Sequence, residues 1–334
     1  MAKDAHDVSW DGRRVLVTGA GGFIGSHLVE ALGTRGASVR AFLRYNSRND
    51  HGWLEELRRP EGVEIFRGDL SNPEASINAV DGIDTVFHLG ALIPIPYSYV
   101  HPREFVETNV VGTLNILEAC RRASVRRIVH VSTSEVYGSA ETIPIAEDHP
   151  IRAQSPYAAS KAGADQLALS YRYSFETPVV IARPFNTYGP RQSARAVIPT
   201  IVTQALARES IELGTLETTR DFLYVEDTVA GLLSVAAAQG VEGEVINLGT
   251  GVETSIAEVV GRVLALIGSD RPVAFAAERL RPADSEVDRL CADAGKAARL
   301  LDWRPEVDLD GGLELTIEWI RGALDAYKPS VYNV

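Results

Sequence analysis

The chain has 334 residues, 45% hydrophobic and 23% charged, an ordinary globular mixture able to bury one large or two modest cores. Lys and Arg number 33 against 45 Asp and Glu, a formal charge of −12 that argues against nucleic acid as the main partner. A small basic pocket for a phosphorylated metabolite remains compatible with it. Cys120 and Cys291 fit neither a metal-ligand spacing nor a disulfide framework, so no metal is expected. No apolar run reaches the roughly 18 residues of a membrane span, and the polar opening MAKDAHDVSWDG lacks the apolar stretch of a secretory signal. The expectation is a cytoplasmic protein without a membrane partner.

Short β-branched runs at 14–18, 38–43, 62–66, 83–89 and 126–131 alternate with helical periodicity at 24–35, 73–80 and 104–123. An amphipathic segment at 156–175 and a strand at 178–183 continue the rhythm. Such alternation predicts an α/β fold with a doubly wound parallel sheet. After Arg183 the rhythm changes: Pro184, Pro190 and Pro199 punctuate a loop-rich stretch, followed by short mixed elements. That predicts a second, smaller α/β unit. The first dozen residues and the last eight are expected to be loosely ordered.

The sharpest N-terminal feature is VLVTGAGGFIGSHLVEAL, a buried-strand run passing through Gly19, Gly22 and Gly25 into a helix that starts with Phe23 and Ile24. Glycines allow the tight turn and a close backbone approach, and the free amides of the helix start then face a pyrophosphate. The second strand should end on the group that reads the adenosine ribose. An acidic residue there suits NAD, whereas this chain has Arg44, which can accommodate a 2′-phosphate or stack on adenine. The cofactor reading is therefore NAD(P). Asp69 and Leu70 follow the third strand, where a carboxylate can accept from the adenine amino group; Leu89, Gly90 and Ala91 follow the fourth, beside the nicotinamide half.

The fifth strand runs into HVSTSEVYG, where Thr133 offers a hydroxyl to a substrate oxygen and Ser134 and Glu135 add a second hydroxyl and a carboxylate. Tyr157 and Lys161 then stand four residues apart on the predicted 156–175 helix and share a face. A fixed ammonium near a phenol favours the phenolate, so the tyrosine is expected to have a lowered pKa, as a general base needs.

The glycine fingerprint, Tyr157 with Lys161, the Thr133 loop and RPFNTYGPRQ together resemble the extended short-chain dehydrogenase/reductase family, in its nucleotide-sugar epimerase, dehydratase and decarboxylase branch. The resemblance runs from about 13 to 325. It implies a Rossmann domain at 13–184, returning around 222–250, and a nucleotide-sugar-binding domain formed by 185–221 and 251–326. It further implies a tightly held NAD(P), with Thr133, Tyr157 and Lys161 as the catalytic trio. Asn186, Arg220 and Arg281 are implied to hold the substrate diphosphate, arginine suiting this because its fork matches phosphate oxygens. In the family the helices near 104–123 and 156–175 pair into a four-helix bundle, which implies a homodimer.

The resemblance implies a 4-keto-sugar intermediate, after which the reactions diverge. A 4-epimerase needs no further base, and its loop usually lacks an acid where this chain has Glu135. A 4,6-dehydratase needs a base for C5 and an acid for the departing C6 hydroxyl. Glu135 can be the base, but Ser134 stands where dehydratases acting on dTDP-glucose usually carry Asp. UDP-glucuronate decarboxylases resemble the Thr-Ser-Glu triplet, and Arg191 or Arg195 could pair with a uronate carboxylate. RPFNTYGPRQSARAVIPTIVTQAL and RYNSRNDHGWLEEL most resemble 4,6-dehydratases acting on nucleotide-linked N-acetylglucosamine. Dehydration is the first expectation, epimerisation and decarboxylation the alternatives, and a non-catalytic dinucleotide sensor the remote one.

Overall fold

A computed structural model describes residues 9–55 and 62–329. Its centre is a seven-stranded parallel sheet of β1 (Arg14–Thr18), β2 (Ser38–Arg44), β3 (Val63–Gly68), β4 (Thr85–His88), β5 (Arg127–Val131), β6 (Val179–Pro184) and β11 (Val245–Leu248). The spatial order is β11-β6-β5-β4-β1-β2-β3. β4, β5 and β6 are buried along their whole length, the pattern of parallel strands covered on both faces. The chain winds outward from β1 through β3, then crosses to β4 and winds the other way. The sheet therefore has its switch point between β1 and β4, where Thr18 and His88 are paired, and a crevice opens beyond such strand ends.

One face of the sheet carries α1 (Phe23–Thr34) and α8 (Val225–Ala237), whose Leu28, Leu32, Leu232 and Val235 share a core with Val15, Val17 and Val129. The other carries α2 (Pro73–Val80), α5 (Gly112–Ala123) and α6 (Pro156–Phe175), packed through Val80, Ile116, Leu117 and Ala168 onto Leu16, Val86 and Ile128. α6 runs 20 residues because Ser155 caps it by accepting from the Ala158 amide, and Pro156 occupies its first turn.

A further core joins β7 (Asn186–Tyr188), α7 (Val197–Ala207), β8 (Ile211–Leu213), β10 (Phe222–Tyr224), α9 (Ile256–Ile267) and α11 (Leu309–Gly322). Its strands are short: β7 pairs β10, β8 pairs β13 (Val273–Phe275), and β9 (Thr219–Arg220) pairs β12 (Thr254–Ser255). α9 starts with a capping box in which Ser255 and Glu258 satisfy each other's backbone amides.

Three features depart from the sequence reading. The helical stretch expected at 104–123 begins at Pro102 as α4 (Pro102–Phe105) and passes through a π-helical segment, Val106–Val111, before α5. α10 (Gly295–Leu301) packs on the sheet rather than with the smaller unit, since Ala297, Leu301 and Trp303 belong to the core of α1 and α8. Trp10, within the dozen residues expected to be loose, is 1% exposed and packs against Phe87; residues 1–8 and 330–334 lie outside the described residues. Among the described residues no helix is long and apolar enough to cross a membrane.

Candidate active site

A cavity of about 960 Å³ lies along the carboxyl ends of the central strands, large enough for far more than one sugar ring. The glycine turn forms one wall. Gly19 has φ +69°, and a Cβ at Gly25 would overlap the Gly19 carbonyl oxygen, so this turn is compact only without side chains. Gly22 is the N-cap of α1 and offers no side-chain acceptor, leaving the first-turn amides of Phe23, Ile24 and Gly25 for an anion. Across the crevice, a Cβ at Gly90 would come within 2.6 Å of the Leu70 side chain. Arg44 and Asp69, at the ends of β2 and β3, line the same cavity and face each other, Nε to Oδ2 3.5 Å. Leu89, Gly90 and Ala91 complete this wall. A trough with free helix amides and a polar pair at one end fits an extended dinucleotide.

At the other end of the trough stand Thr133, Glu135, Tyr157 and Lys161, all lining the cavity. Tyr157 sits in the first turn of α6, 8% exposed, and its ring packs edge-on against Phe105. Lys161 lies one turn on, buried, and its Nζ donates to the Val131 carbonyl at 2.7 Å. Burial drives the Lys161 ammonium down to about 8 against the opposing pull of Asp165. The expected lowering of the Tyr157 pKa is not found. Burial pushes the phenol up, only partly offset by a hydrogen bond with Thr133, and Glu135 and Asp165 add to the rise. The physical reason is the loss of water around the buried phenol, the largest effect, which the Thr133 hydrogen bond does not outweigh.

The Thr133 loop continues into a single 3-10 turn, Ser134–Tyr137, with the Thr133 hydroxyl accepting from the Glu135 amide at 3.2 Å. This turn separates its two polar side chains. Glu135 is half-buried and lines the cavity, whereas Ser134 is 3% exposed and borders no part of it. Ser134 is thus not placed where the sequence reading put it.

A smaller cavity of about 330 Å³ adjoins the first and shares Glu135, Asn186, Arg195 and Arg281 with it. Arg220 joins them there, and Glu286 bridges buried Arg220 and half-buried Arg281, at 3.3 and 3.6 Å. Burial lowers the Arg220 pKa, with Glu135 and Glu286 opposing. Four arginines, Arg195, Arg220, Arg279 and Arg281, line this pocket, a set whose forked donors suit a multiply charged anion. Arg191 is the exception. It is 7% exposed, bonded to Glu30 of α1 at 2.8 Å and stacked on Trp319 of α11, and it borders neither cavity. It joins the two cores instead of meeting a substrate.

Other residues of the site were not foreseen. Asn46, Asp50, His51 and Gly52 line the dinucleotide trough, because the segment after β2 folds back until the Trp53 amide donates to the Gly21 carbonyl at 3.1 Å. Arg279 and Leu280 line the cavity from the stretch before Arg281. Adjacent glycines at 21 and 22 are the available hint for the first group; polar loop residues near 279 carry none.

A family model described as GDP-mannose 4,6 dehydratase matches residues 16–316. A dTDP-glucose 4,6-dehydratase of Actinoplanes sp. is 36% identical over 321 residues, covering 92% of this chain and 98% of that one. UDP-glucuronic acid decarboxylase 1 of Xenopus tropicalis is 33% identical over 333 residues, covering 96% of this chain and 75% of the relative. Among solved structures, DesIV of Streptomyces venezuelae, a dTDP-glucose 4,6-dehydratase with NAD and TYD bound, superposes with a TM-score of 0.86 at 32% identity, covering 95% of this chain and 99% of that one. Matched by this family model over residues 16–316 and by these relatives over nearly its whole length, the chain belongs to the GDP-mannose 4,6 dehydratase family, within the nucleotide-sugar branch of the extended short-chain dehydrogenase/reductases.

Proposed function

We propose that the protein is an NAD(P)-dependent nucleotide-sugar 4,6-dehydratase, a lyase acting on a nucleoside-diphosphate hexose of the N-acetylglucosamine type. The observation that carries this reading is that Glu135 shares one cavity with Thr133, Tyr157 and Lys161, which gives the site a carboxylate beyond the pair needed for oxidation. The dehydratase relatives support it. When bound, the nicotinamide accepts hydride from the sugar C4 and later returns it. The residues fitted to hold the dinucleotide are Gly19, Gly22 to Gly25, Arg44, Asp69, Leu70 and Leu89 to Ala91.

Tyr157 takes the proton of the sugar 4-hydroxyl, with Thr133 aligning the phenol and Lys161 supplying positive charge. The 4-ketone acidifies the C5 hydrogen, and Glu135 removes it. Elimination then needs a proton on the departing C6 hydroxyl. Ser134 is buried and has no acidic group, so Glu135 itself, having just gained the C5 proton, returns it to the C6 oxygen. Asn186, Arg195, Arg220 and Arg281 hold the diphosphate. All of these catalytic groups meeting at one cavity also weighs against a purely dinucleotide-sensing role.

A second reading is decarboxylation of a nucleotide uronate, favoured by the absence of an acid at Ser134 and by the Xenopus relative. It needs a cation for the C6 carboxylate, and with Arg191 committed to Glu30 the residue left from the expected pair is Arg195. Glu135→Gln separates the reactions. In a dehydratase it stalls turnover at the 4-keto sugar, in a decarboxylase it costs only part of the rate, and in a 4-epimerase it changes KM modestly.

The assembly we propose is a homodimer through a four-helix bundle, working in the cytoplasm. Supporting it, Val106 and Val111 of the π-helical segment and Tyr173 and Phe175 of α6 are large apolar side chains left exposed. Light scattering at micromolar concentration should give twice the chain mass; a monomer would contradict it.

A further inference from the structure

A buried polar cluster lies under Lys161, and Ser132 is its one member that reaches the large cavity. Asp165, one helical turn beyond Lys161, is 0% exposed. Its Oδ2 accepts from the Ser132 hydroxyl at 2.7 Å and from Arg183 Nε and Nη2 at 3.1 and 2.9 Å. Its Oδ1 lies 3.2 Å from His130 Nε2. Arg183 also donates to the Tyr137 hydroxyl at 2.9 Å. The His88 ring, 5.6 Å from that of His130, is held between the Thr18 and Thr113 hydroxyls.

The charges in this cluster do not cancel. Burial drives both His88 and His130 below the ordinary histidine range, aided by His130 and Lys161 at His88 and by Lys161 at His130, where Asp165 opposes. Lys161 and Arg183 are cations, and Asp165 is the anion between them. From the other packed elements, Tyr157 on α6 and Glu135 and Tyr137 on the turn after β5 are the titratable groups nearby. Glu135 faces the cavity, and Tyr137 bonds Arg183 and Asn247. The one hydrogen bond from Lys161 goes to a neutral carbonyl, so its charge depends on the carboxylate one turn away.

We propose that Asp165 is a positioning residue: its buried carboxylate, bonded to Arg183 and one helical turn from Lys161, keeps the Lys161 ammonium charged beside Tyr157. Asp165 touches neither substrate nor cofactor, and the proposal rests on Tyr157 and Lys161 being the proton-transfer pair. Two consequences have opposite sign. Removing the carboxylate takes away the anion that opposes burial at Lys161, so the ammonium gives up its proton more readily. Removing the Arg183 charge leaves the carboxylate to Lys161 alone, so the ammonium holds its proton more firmly.

The test is the pH profile of kcat for the dinucleotide-loaded enzyme between about pH 5.5 and 9.5. Wild type should lose activity on the alkaline side near the Lys161 ionisation at about 8. Asp165→Asn, nearly isosteric, should move that limb down by roughly one to two pH units. Its deficit then grows up to about tenfold per pH unit above the displaced limb, with KM little changed. Asp165→Glu should move the limb back toward wild type, and Arg183→Gln should move it upward. The dinucleotide released by denaturing Asp165→Asn should equal the wild-type amount.

A uniform loss at every pH with the limb unmoved would overturn the proposal, as would a shift of the same sign in Asp165→Asn and Arg183→Gln. Should Asp165→Asn not fold, the wild-type profile decides: no alkaline fall below pH 9.5 refutes, and a fall near 8 supports. Failure of the underlying assignment looks different, because Tyr157→Phe would then keep turning over.

Discussion

Asp221, the residue after Arg220, offers a sharp test of how the anion pocket is held in place. It is fully buried between β9 and β10, and its two oxygens accept four hydrogen bonds. Oδ1 takes the Thr250 amide at 2.8 Å and the Thr250 hydroxyl at 2.6 Å; Oδ2 takes the Gly251 and Ala292 amides at 2.9 and 3.0 Å. Asp221→Asn keeps the shape but turns one oxygen into a donor. That NH2 cannot face Gly251 and Ala292, which offer only donors, so it must face Thr250, whose hydroxyl can turn to accept. The Thr250 amide is then left without its acceptor. An orphaned buried amide costs about 1–3 kcal/mol, and the remaining bonds weaken on losing their charge. Against this, burial pushes the Asp221 carboxyl pKa up despite its hydrogen bonds, so a neutral side chain recovers part of the loss.

The net cost should be about 2 kcal/mol, a fall in Tm of about 3 °C for a chain of this size. Because Arg220 shares this backbone, KM for the nucleotide sugar should rise more than kcat falls. Thermal denaturation at pH 7 and steady-state kinetics measure both. A Tm within about half a degree of wild type together with an unchanged KM would refute the reasoning.

Glu118 on α5 accepts from Arg121 and from the Tyr171 hydroxyl of α6, first the guanidinium and then the phenol holding its carboxyl down to about 2. A depressed folded-state pKa contributes stability above the unfolded value near 4.5 that is lost as pH falls toward about 2. Glu118→Gln should therefore melt below wild type at pH 7, and the gap should close across that window; a gap independent of pH would argue against it. Gly25→Ala places a Cβ on the Gly19 carbonyl oxygen, so the turn must shift. A strain of about 2 kcal/mol expressed at the turn weakens dinucleotide binding roughly thirtyfold, measurable by calorimetry, in a protein whose circular dichroism is unchanged.

Strands β1 to β6 were legible because each is a short β-branched run, buried in all but β3, and the glycine turn marks β1 and α1 together; β11, four residues long, was not read as a strand. The positions of Tyr157 and Lys161 on one helix face follow from spacing alone. Burial and charge balance do not. The lowered Tyr157 pKa was an inference from proximity of charge, and it failed because burial of the phenol, which spacing does not reveal, outweighs the Thr133 hydrogen bond. Ser134 and Glu135 are adjacent in sequence, yet a tight turn sends them to different surroundings. Arg191 looks like a substrate ligand within a motif rich in arginine, but Glu30, 161 residues away, claims it. The short strands β9 and β12 pair residues more than thirty positions apart with two residues each, too brief for any periodicity. The same holds for Asp221, whose partners lie 29 to 71 residues on.

The most direct test of the proposed chemistry is mass spectrometry of products after incubating the purified protein with a panel of nucleotide sugars in deuterated water. Dehydration predicts a product lighter by one water, with solvent deuterium at C5 and none in the new methyl group, whose added hydrogen is the hydride taken from C4. It also predicts that Glu135→Gln releases no such product. Loss of carbon dioxide from a uronate, or an isomer of unchanged mass with no deuterium at C5, would contradict the 4,6-dehydratase reading.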